Sequence, residues 1–423
     1  MGGLPVPSAA QGLPARGQIQ RRARCRLHRT RPASRRTVRH GVGRWHHRSP
    51  RTARAPGGGR SARPGIPSGT LISTREKLAE FTGQLARHKT IGLDTEADSL
   101  HSYREKICLV QVSSPDGVWL VDPLADGTDL SDFYASLARH TLVIHGADYD
   151  LRLLGRHGSF DARDIFDTSI AARFAGLEQI GYAALVQKYF GVALCKASQR
   201  ADWGRRPLPP RMEEYALNDV RYLLPLAEIL ENRLRELGRW KWYLQSRDAM
   251  VQSAREPRER DPESAWRING SSKLSPRESA VLRALWHWRE SEASAWDRPT
   301  FHVISNDRLI DAARNAVAGH KVEAHRMPPA RYARFRETLR SALDLPESEW
   351  PVFERERKPR PSNAACRLFE QLREKRDTVA RQLAIDPALI ASRMTLMSVA
   401  QQNGARLLPW QRELLQIDEP VGR

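Results

Sequence analysis

Beyond residue 70, the spacing of hydrophobic residues distinguishes strand-like runs from segments of helical period. Runs rich in apolar and β-branched residues lie at 90–96, 107–113 and 118–121, and their short polar links predict strands that pair antiparallel. Two shorter runs, 141–144 and 165–166, alternate with segments of helical period. The chain begins with consecutive strands and continues with alternating strands and helices. This order predicts an α/β layered domain with a mixed sheet flanked by helices.

The helical period dominates the C-terminal half of the chain. Apolar spacing predicts helices at 277–290 and 366–381, followed by shorter ones. Charged, Pro-containing stretches at 256–262 and 345–358 read as linkers. Within the α/β domain, Thr168 is predicted to cap a helix. The predicted domains are an α/β domain at 71–255 and two all-α domains at 261–344 and 359–423.

Residues 1–70 have a different composition from the rest of the chain. They hold 16 Arg, no Lys and no acidic residue, whereas the remainder has 53 basic and 49 acidic residues. The overall net charge of +20 therefore says little about the folded part. Because this segment lacks apolar periodicity, it is predicted to be disordered. It is interpreted as a basic arm for nucleic-acid phosphates, an organelle transit peptide, or translated sequence upstream of the true start codon.

Cysteine spacing and hydropathy exclude several protein classes. The four cysteines are far apart and form no zinc-binding spacing, so neither a disulfide framework nor a structural zinc site is expected. No apolar run approaches the length of a membrane span, and the N-terminus has no apolar core of a secretory signal. A reducing cytoplasm is the expected location. The cysteines are Cys25, Cys108, Cys195 and Cys366.

Two acidic residues share one face of the first predicted strand. Side chains alternate along a strand, so Asp94 and Glu96 point one way while Leu93 and Thr95 point the other. Burying like charges side by side costs several kcal/mol unless protons or a cation neutralise them. The pair therefore suggests a divalent metal, although a surface location would explain it equally well.

Further acidic residues occur downstream on separate elements. Asp150 follows the strand 141–144, at the strand-to-helix boundary where functional groups are common. Tyr215 and Asp219 lie four residues apart in a helical pattern, which stacks them on one helix face. With Asp94 and Glu96, these residues place four acids and a phenol on three elements.

Three segments carry a family resemblance. IGLDTEAD, HGADYD and YALNDVRYLLP, in this order, resemble the three exonuclease motifs of the ribonuclease D family, the Tyr-containing branch of the DEDD 3′→5′ exonucleases. The stretch RADWGRRPL resembles the family's signature before the third motif. The resemblance covers about residues 71–248, and every motif position is present.

The resemblance implies an RNase H-like fold and a site for two divalent cations, Mg²⁺ or Mn²⁺. It assigns Asp94 to both ions. Glu96 and Asp219 would complete the shell of the first ion, and Asp150 would hold the second, directly or through water. Tyr215 would orient the attacking water or help to deprotonate it. Hard oxygen ligands suit these cations, and two ions about 3.5–4 Å apart activate water and stabilise the leaving oxygen.

Neighbouring residues receive other interpretations. Asp148 is interpreted as a charge at a helix N-terminus and His145 as a packing residue below the site. Trp203, Arg205 and Arg206 are candidates for substrate contact through stacking and phosphate pairing, although this loop is equally interpreted as held by its own contacts.

The helical half carries a second resemblance. Leu282, Leu285, Trp288 and Arg289, with a following Arg-Pro, resemble the HRDC module shared by RecQ helicases and ribonuclease D, across 261–344. The segment 359–423 repeats this layout and is interpreted as a second HRDC-like module. Such modules are nucleic-acid-binding accessories, and the alternative is a helical bundle that only shapes the cleft.

Together these features predict a metal-dependent 3′→5′ exoribonuclease that releases nucleoside 5′-monophosphates. Its expected substrate is RNA with a single-stranded 3′ end, tRNA precursors among them, and the protein is expected to be monomeric with no membrane contact. One alternative is a DNA 3′→5′ exonuclease of repair or proofreading, although the chain has no G-x-x-x-x-G-K-[ST] motif of an associated helicase. The other is an RNA-binding protein in which catalysis is incidental.

Overall fold

The described part of the chain extends from residue 71 to residue 417 of a computed structural model. The predicted disordered segment 1–70 lies outside the described residues, as do parts of both predicted linkers. The internal stretches left out are 157–159, 163, 257–260, 262, 323–326, 352–359 and 403–406.

Among the described residues, six strands form one mixed sheet, and the hydrophobic pattern predicts the mixed sheet and five of these strands. The sheet order is β1-β4-β3-β2-β5-β6. The β2–β3 and β3–β4 pairs are antiparallel, whereas β2–β5, β5–β6 and β1–β4 are parallel. The short β1 has no counterpart among the predicted strands. The strands are β1 (Leu71–Ile72), β2 (Thr90–Ala97), β3 (Ile107–Ser114), β4 (Gly117–Val121), β5 (Thr141–Ile144) and β6 (Asp164–Asp167).

Helices cover both faces of this sheet. On one face α1, α2 and α3 pack with Leu93 and Val112 of the two central strands. On the other face α6 lies across β2, β3 and β4, and α7 continues across β2 and β5. These helices, with their neighbours in the α/β part, are α1 (Arg75–Leu85), α2 (Ser131–Leu137), α3 (Asp148–Leu154), α4 (Thr168–Phe174), α5 (Tyr182–Phe190), α6 (Pro210–Arg221), α7 (Leu223–Glu236) and α8 (Trp240–Arg255).

A glycine in β2 permits the close approach of the α6–α7 junction. A Cβ atom on Gly92 would lie 2.2 Å from Ser113 Oγ and 3.2 Å from Leu223 Cβ, so only glycine leaves room for both. Ser113 Oγ donates a hydrogen bond of 2.9 Å to the Val220 carbonyl. The end of α6, including Asp219, is therefore held directly over the face of β2 that carries Asp94.

The helix cap predicted at Thr168 belongs instead to the residue before it. Asp167 accepts hydrogen bonds from the backbone N–H groups at the start of α4, whereas Thr168 is the first helical residue and donates to the Ile144 carbonyl. The same Asp167 carboxylate accepts from Gly146 N at 3.1 Å and Ala147 N at 2.8 Å. One side chain thus holds both the start of α4 and the turn that leads to Asp150.

The C-terminal half forms two helical groups with the same layout. Each begins with a 21-residue helix whose N-cap is a serine and which ends at a left-handed residue, Asp297 or Ala384. A four-residue helix follows, and a second serine caps the next helix at the same spacing. Group one contains α9 (Pro276–Trp296), α10 (Thr300–Val303), α11 (Asn306–Val317) and α12 (Pro329–Leu343), and group two contains α13 (Asn363–Leu383), α14 (Pro387–Ile390), α15 (Arg393–Ala400) and α16 (Pro409–Leu415).

The two helical groups are attached to the α/β part differently. Group one has a hydrophobic core of its own. The core of group two is continuous with that around α4, α7 and α8. The buried Arg239 bridges this junction, donating to the carbonyls of Phe174 at 2.7 Å and Leu383 at 2.6 Å. Within the described ranges, no helix has both the length and the apolar character needed to cross a membrane.

Candidate active site

Three carboxylates converge where α6 crosses the middle of β2. One carboxylate oxygen from each of Asp94, Glu96 and Asp219 lies within 4.8 Å of the other two. The alternation along β2 places the first two on the face covered by α6, as their spacing predicts. Oxygen-only ligands at this separation fit a hard divalent cation such as Mg²⁺ or Mn²⁺.

Asp150 approaches this cluster from the opposite side of β2. Its side chain is only 5% exposed and accepts a hydrogen bond of 2.5 Å from the Thr95 hydroxyl. Thr95 points to the face covered by α3, so Asp150 reaches the site around the strand rather than from above it. It lies outside the three-carboxylate group but close enough to raise the pKa of Asp94.

Burial raises the pKa of every carboxyl group in the site, and repulsion by neighbouring carboxylates adds to it for Asp94 and Glu96. Burial is the largest cause for Asp94, and the charges of Asp150, Asp219 and Glu96 add to it. The pKa of Glu96 rises to about 9, that of Asp219 to about 7 and that of Asp150 to about 6. Without a cation, Glu96 therefore keeps its proton at neutral pH and Asp219 titrates near it, and a bound divalent cation would favour the ionised forms of these groups.

Tyr215 lies one helical turn before Asp219, as its i,i+4 spacing predicts. Its hydroxyl donates a hydrogen bond to the Asp219 carboxylate. Burial, followed by the charges of Asp219 and Glu96, raises the pKa of this phenol well above its usual value. The hydroxyl is therefore a proton-bearing donor at neutral pH.

In the loop before α6, the contacts of Trp203 and Arg206 favour the alternative interpretation, that the loop is held by its own contacts. Trp203 is only 1% exposed and packs in the core beneath α6, so neither ring face is open to a nucleobase. Arg206 forms a two-pronged ion pair with Asp122 and also donates to the Cys108 carbonyl at 2.6 Å. These contacts hold the loop to β3 and β4. Only Arg205 of the three is exposed.

His145 and Asp148 make contacts that fit the structural roles expected for them. His145 Nδ1 lies 2.9 Å from the Thr168 hydroxyl, and its ring packs against Tyr182. Burial lowers the pKa of His145, which favours the neutral imidazole. Asp148 starts α3 and pairs with Arg152 four residues later, at 3.0 Å.

Two further residues beside the site were not identified from the sequence. Tyr182 Oη donates to the Asn218 carbonyl and accepts from Tyr222 N, both at 3.1 Å, so it holds the backbone around Asp219. Gln111 lies directly opposite Asp94 in β3 and is completely buried. The sequence signal that could have identified Gln111 is its single amide side chain in the otherwise apolar run that forms β3.

Comparison with known proteins agrees with this geometry. A family model described as a 3′-5′ exonuclease matches residues 70–235. A Ribonuclease D of Sphingobium indicum is 34% identical over 250 residues, which cover 57% of this chain and 63% of that protein. A Ribonuclease D of Granulibacter bethesdensis is 31% identical over 371 residues, which cover 84% of this chain and 92% of that protein.

A solved structure matches the same extent of the chain. The crystal structure of Escherichia coli RNase D, an exoribonuclease involved in structured RNA processing, has a TM-score of 0.62 to this chain at 26% identity. The match covers 82% of this chain and 96% of that one. Since the relatives align through both the α/β part and the helical half, the chain belongs to the ribonuclease D family of 3′→5′ exoribonucleases.

Proposed function

We propose that this chain removes nucleotides one at a time from single-stranded RNA 3′ ends and releases nucleoside 5′-monophosphates. The observation that carries this proposal is the convergence of Asp94, Glu96 and Asp219 in a buried site. Their raised pKa values mean that the site holds more negative charge than it can stabilise alone. Divalent metal dependence follows from this charge and from family membership.

The residues present would hold two cations. Asp94, Glu96 and Asp219 would bind one ion, and Asp94 with Asp150 would bind the other, with Mg²⁺ or Mn²⁺ as the expected species. When bound, such ions activate a water nucleophile and stabilise the leaving 3′-oxygen.

Other side chains of this protein orient the water, the Asp150 carboxylate and the substrate. The Tyr215 hydroxyl, which donates its proton to Asp219, orients the attacking water by accepting a hydrogen bond from it. Thr95 fixes the Asp150 carboxylate through its short hydrogen bond. Arg205, which is exposed in the loop before α6, would pair with a substrate phosphate.

The domain assignment extends this proposal to the whole chain. Residues 71–255 form an RNase H-like exonuclease domain, 261–344 an HRDC domain, and 359–423 a second HRDC-like domain. The repeated order of capped helices in the two groups supports the last assignment. The protein acts as a cytoplasmic monomer on structured RNAs, tRNA precursors included, as suggested by the role of the E. coli relative in structured RNA processing.

The test uses the full chain on matched hairpins of RNA and DNA that carry the same single-stranded 3′ tail and a 5′ label. With Mg²⁺ or Mn²⁺ we expect a ladder of products that shortens from the RNA 3′ end, and no ladder with EDTA. Stronger cleavage of the DNA hairpin would favour a repair or proofreading exonuclease. Binding without cleavage of either hairpin would favour an RNA-binding protein.

A further inference from the structure

Two large aromatic side chains are exposed side by side on helical group one. Trp296, at the end of α9, is 46% exposed, and Phe301, in α10, is 52% exposed. The His302 ring lies between them, with its centroid 4.8 Å from that of Phe301 and 6.5 Å from that of Trp296. The groove beside these rings has a volume of about 670 Å³, within the usual range of ligand sites.

Arginine side chains accompany these rings. The Arg331 guanidinium lies 4.4 Å from the centroid of the Trp296 ring and pairs with Glu292 at 3.1 Å, so the exposed Arg308, which lines the same groove, is the arginine open to a phosphate. Exposed aromatic faces with adjacent guanidinium groups suit single-stranded nucleic acid, because bases stack on the rings and phosphates pair with the cations. We refer to Trp296, Phe301, His302, Arg308 and Arg331 as the aromatic patch.

The aromatic patch is adjacent to the loop that follows the catalytic strand. Asp297, the residue after Trp296, accepts a hydrogen bond of 3.2 Å from Tyr103 N. Arg298 donates to the His101 carbonyl at 3.0 Å. His101 and Tyr103 lie in the loop that leads from β2, the strand of Asp94 and Glu96, to β3, so the patch is anchored to that loop.

We propose that the aromatic patch binds the single-stranded RNA segment that leads to the active site, with nucleobases stacked on Trp296 and Phe301 and a phosphate at Arg308. This inference rests on the proposed exoribonuclease function and adds a substrate-holding surface to it. The patch fits any base because every base has an aromatic face, so it selects unpaired strands rather than a sequence.

The test measures RNA binding by fluorescence anisotropy, with the full chain in EDTA so that no cleavage is needed. The ligand is a labelled RNA hairpin with a long unpaired 3′ tail. Trp296→Ala and Phe301→Ala are each expected to raise the Kd about five- to tenfold. Met394→Ala is the matched control, since Met394 is 83% exposed on group two and lies outside the patch. It should leave the Kd unchanged.

An abasic tail separates stacking from other effects. On a hairpin whose tail sugars carry no bases, the two aromatic variants should bind as well as the unaltered chain. Equal affinities on the ordinary tail, or the same loss on the abasic tail, would overturn the proposal. A change in sedimentation without a change in RNA affinity would instead make the patch a contact between copies of this chain. Because no step requires turnover, failure of the hairpin cleavage test would leave this result interpretable.

A second, independent observation concerns Gln111. Its side chain is completely buried, and neither amide atom has a hydrogen-bond partner among the described residues. Residues directly opposite in antiparallel strands point to the same face, with Cβ atoms about 4.5–5.5 Å apart. The side chains of Gln111 and Asp94 therefore leave the sheet next to each other on one face. An unpaired buried amide is costly, so its retention here needs a partner.

We infer that Gln111 is a positioning residue whose amide N–H donates to the Asp94 carboxylate, directly or through a water, when a cation occupies the site. This inference also rests on the proposed function, because Asp94 is the residue expected to contact both ions. A group that hydrogen-bonds a metal-binding carboxylate keeps that carboxylate in the orientation that metal binding requires.

Gln111→Met keeps the side-chain length but removes the amide. In EDTA the variant should have a higher Tm than the unaltered chain, because an unpaired polar group is gone. Its Kd for Mn²⁺, measured by calorimetry, should rise about tenfold. The control is Val112→Ala on the opposite face of β3, which leaves a cavity in the core and should lower the Tm without changing the Kd for Mn²⁺. A lower Tm in EDTA or an unchanged Kd for Gln111→Met would overturn the inference.

Discussion

Asp94→Asn is expected to lower the rate of RNA cleavage by more than the 10–100-fold typical for loss of a group that only supports a metal ligand. Asp94 is the carboxylate that we propose to contact both ions, and a neutral amide cannot balance their charge. RNA affinity in EDTA should stay nearly unchanged, since the helical surfaces and Arg205 are untouched. Single-turnover cleavage and anisotropy on the same hairpin measure the two quantities.

The same substitution should stabilise the metal-free protein. A carboxyl whose pKa is raised on folding holds its proton in the folded state after the unfolded chain has lost it, so stability falls as pH rises. For Glu96 this window extends from about 4.5 to about 9. Asp94→Asn removes one of the repelling charges. Its Tm in EDTA should exceed that of the unaltered chain by more at pH 8 than at pH 5.5.

Asp148→Asn is the matched control for both measurements. Asp148 lies in the same helix as Asp150 but pairs with Arg152 and lies outside the carboxylate cluster. This variant should cleave RNA normally and show no gain of stability at pH 8. Normal turnover by Asp94→Asn would remove the site assignment, and a lower Tm of that variant at pH 8 in EDTA would contradict the electrostatic argument.

Trp410→Ala is expected to destabilise the protein by about 3–5 kcal/mol. Trp410 belongs to helical group two but packs against the α/β part, with its ring 5.2 Å from Phe174 and 5.6 Å from Trp242. Its indole N–H donates to the Ser246 hydroxyl at 3.1 Å, so truncation also leaves that group without a partner. Denaturant unfolding followed by circular dichroism measures the loss.

The shared core makes a further prediction about cooperativity in this variant. Because the core around Trp410 includes Leu223 and Leu226 of α7, the α/β part should unfold at a lower denaturant concentration together with group two. Met394→Ala in the same group should stay within about 0.5 kcal/mol, since its side chain is exposed. A separate early transition of group two, with cleavage retained, would contradict a continuous core.

Local periodicity accounts for the parts of the site that the sequence predicts. A strand period of two places Asp94 and Glu96 on one face wherever β2 is packed, and the helix period stacks Tyr215 on Asp219. The mixed sheet is predictable for the same reason, because its runs differ in period and length from the helices. These features depend only on residues close in the chain.

Longer-range features depended on contacts that periodicity does not describe. The burial of Trp203 and the pairing of Arg206 with Asp122 favour a structural role for two candidate substrate contacts. The cap of α4 moved to Asp167 because that carboxylate also serves the turn after β5. In each case the deciding partner is distant in sequence.

The sequence by itself thus determined which way the catalytic side chains point from their own strand or helix, and its three motifs indicated the family. Only the tertiary structure decided that Asp150 reaches the site from the opposite face, that Gln111 lies opposite Asp94, and that group two shares the core of the α/β part. The physical reason is that a side chain's direction follows from local backbone geometry, whereas its neighbours follow from strand register and packing between distant segments.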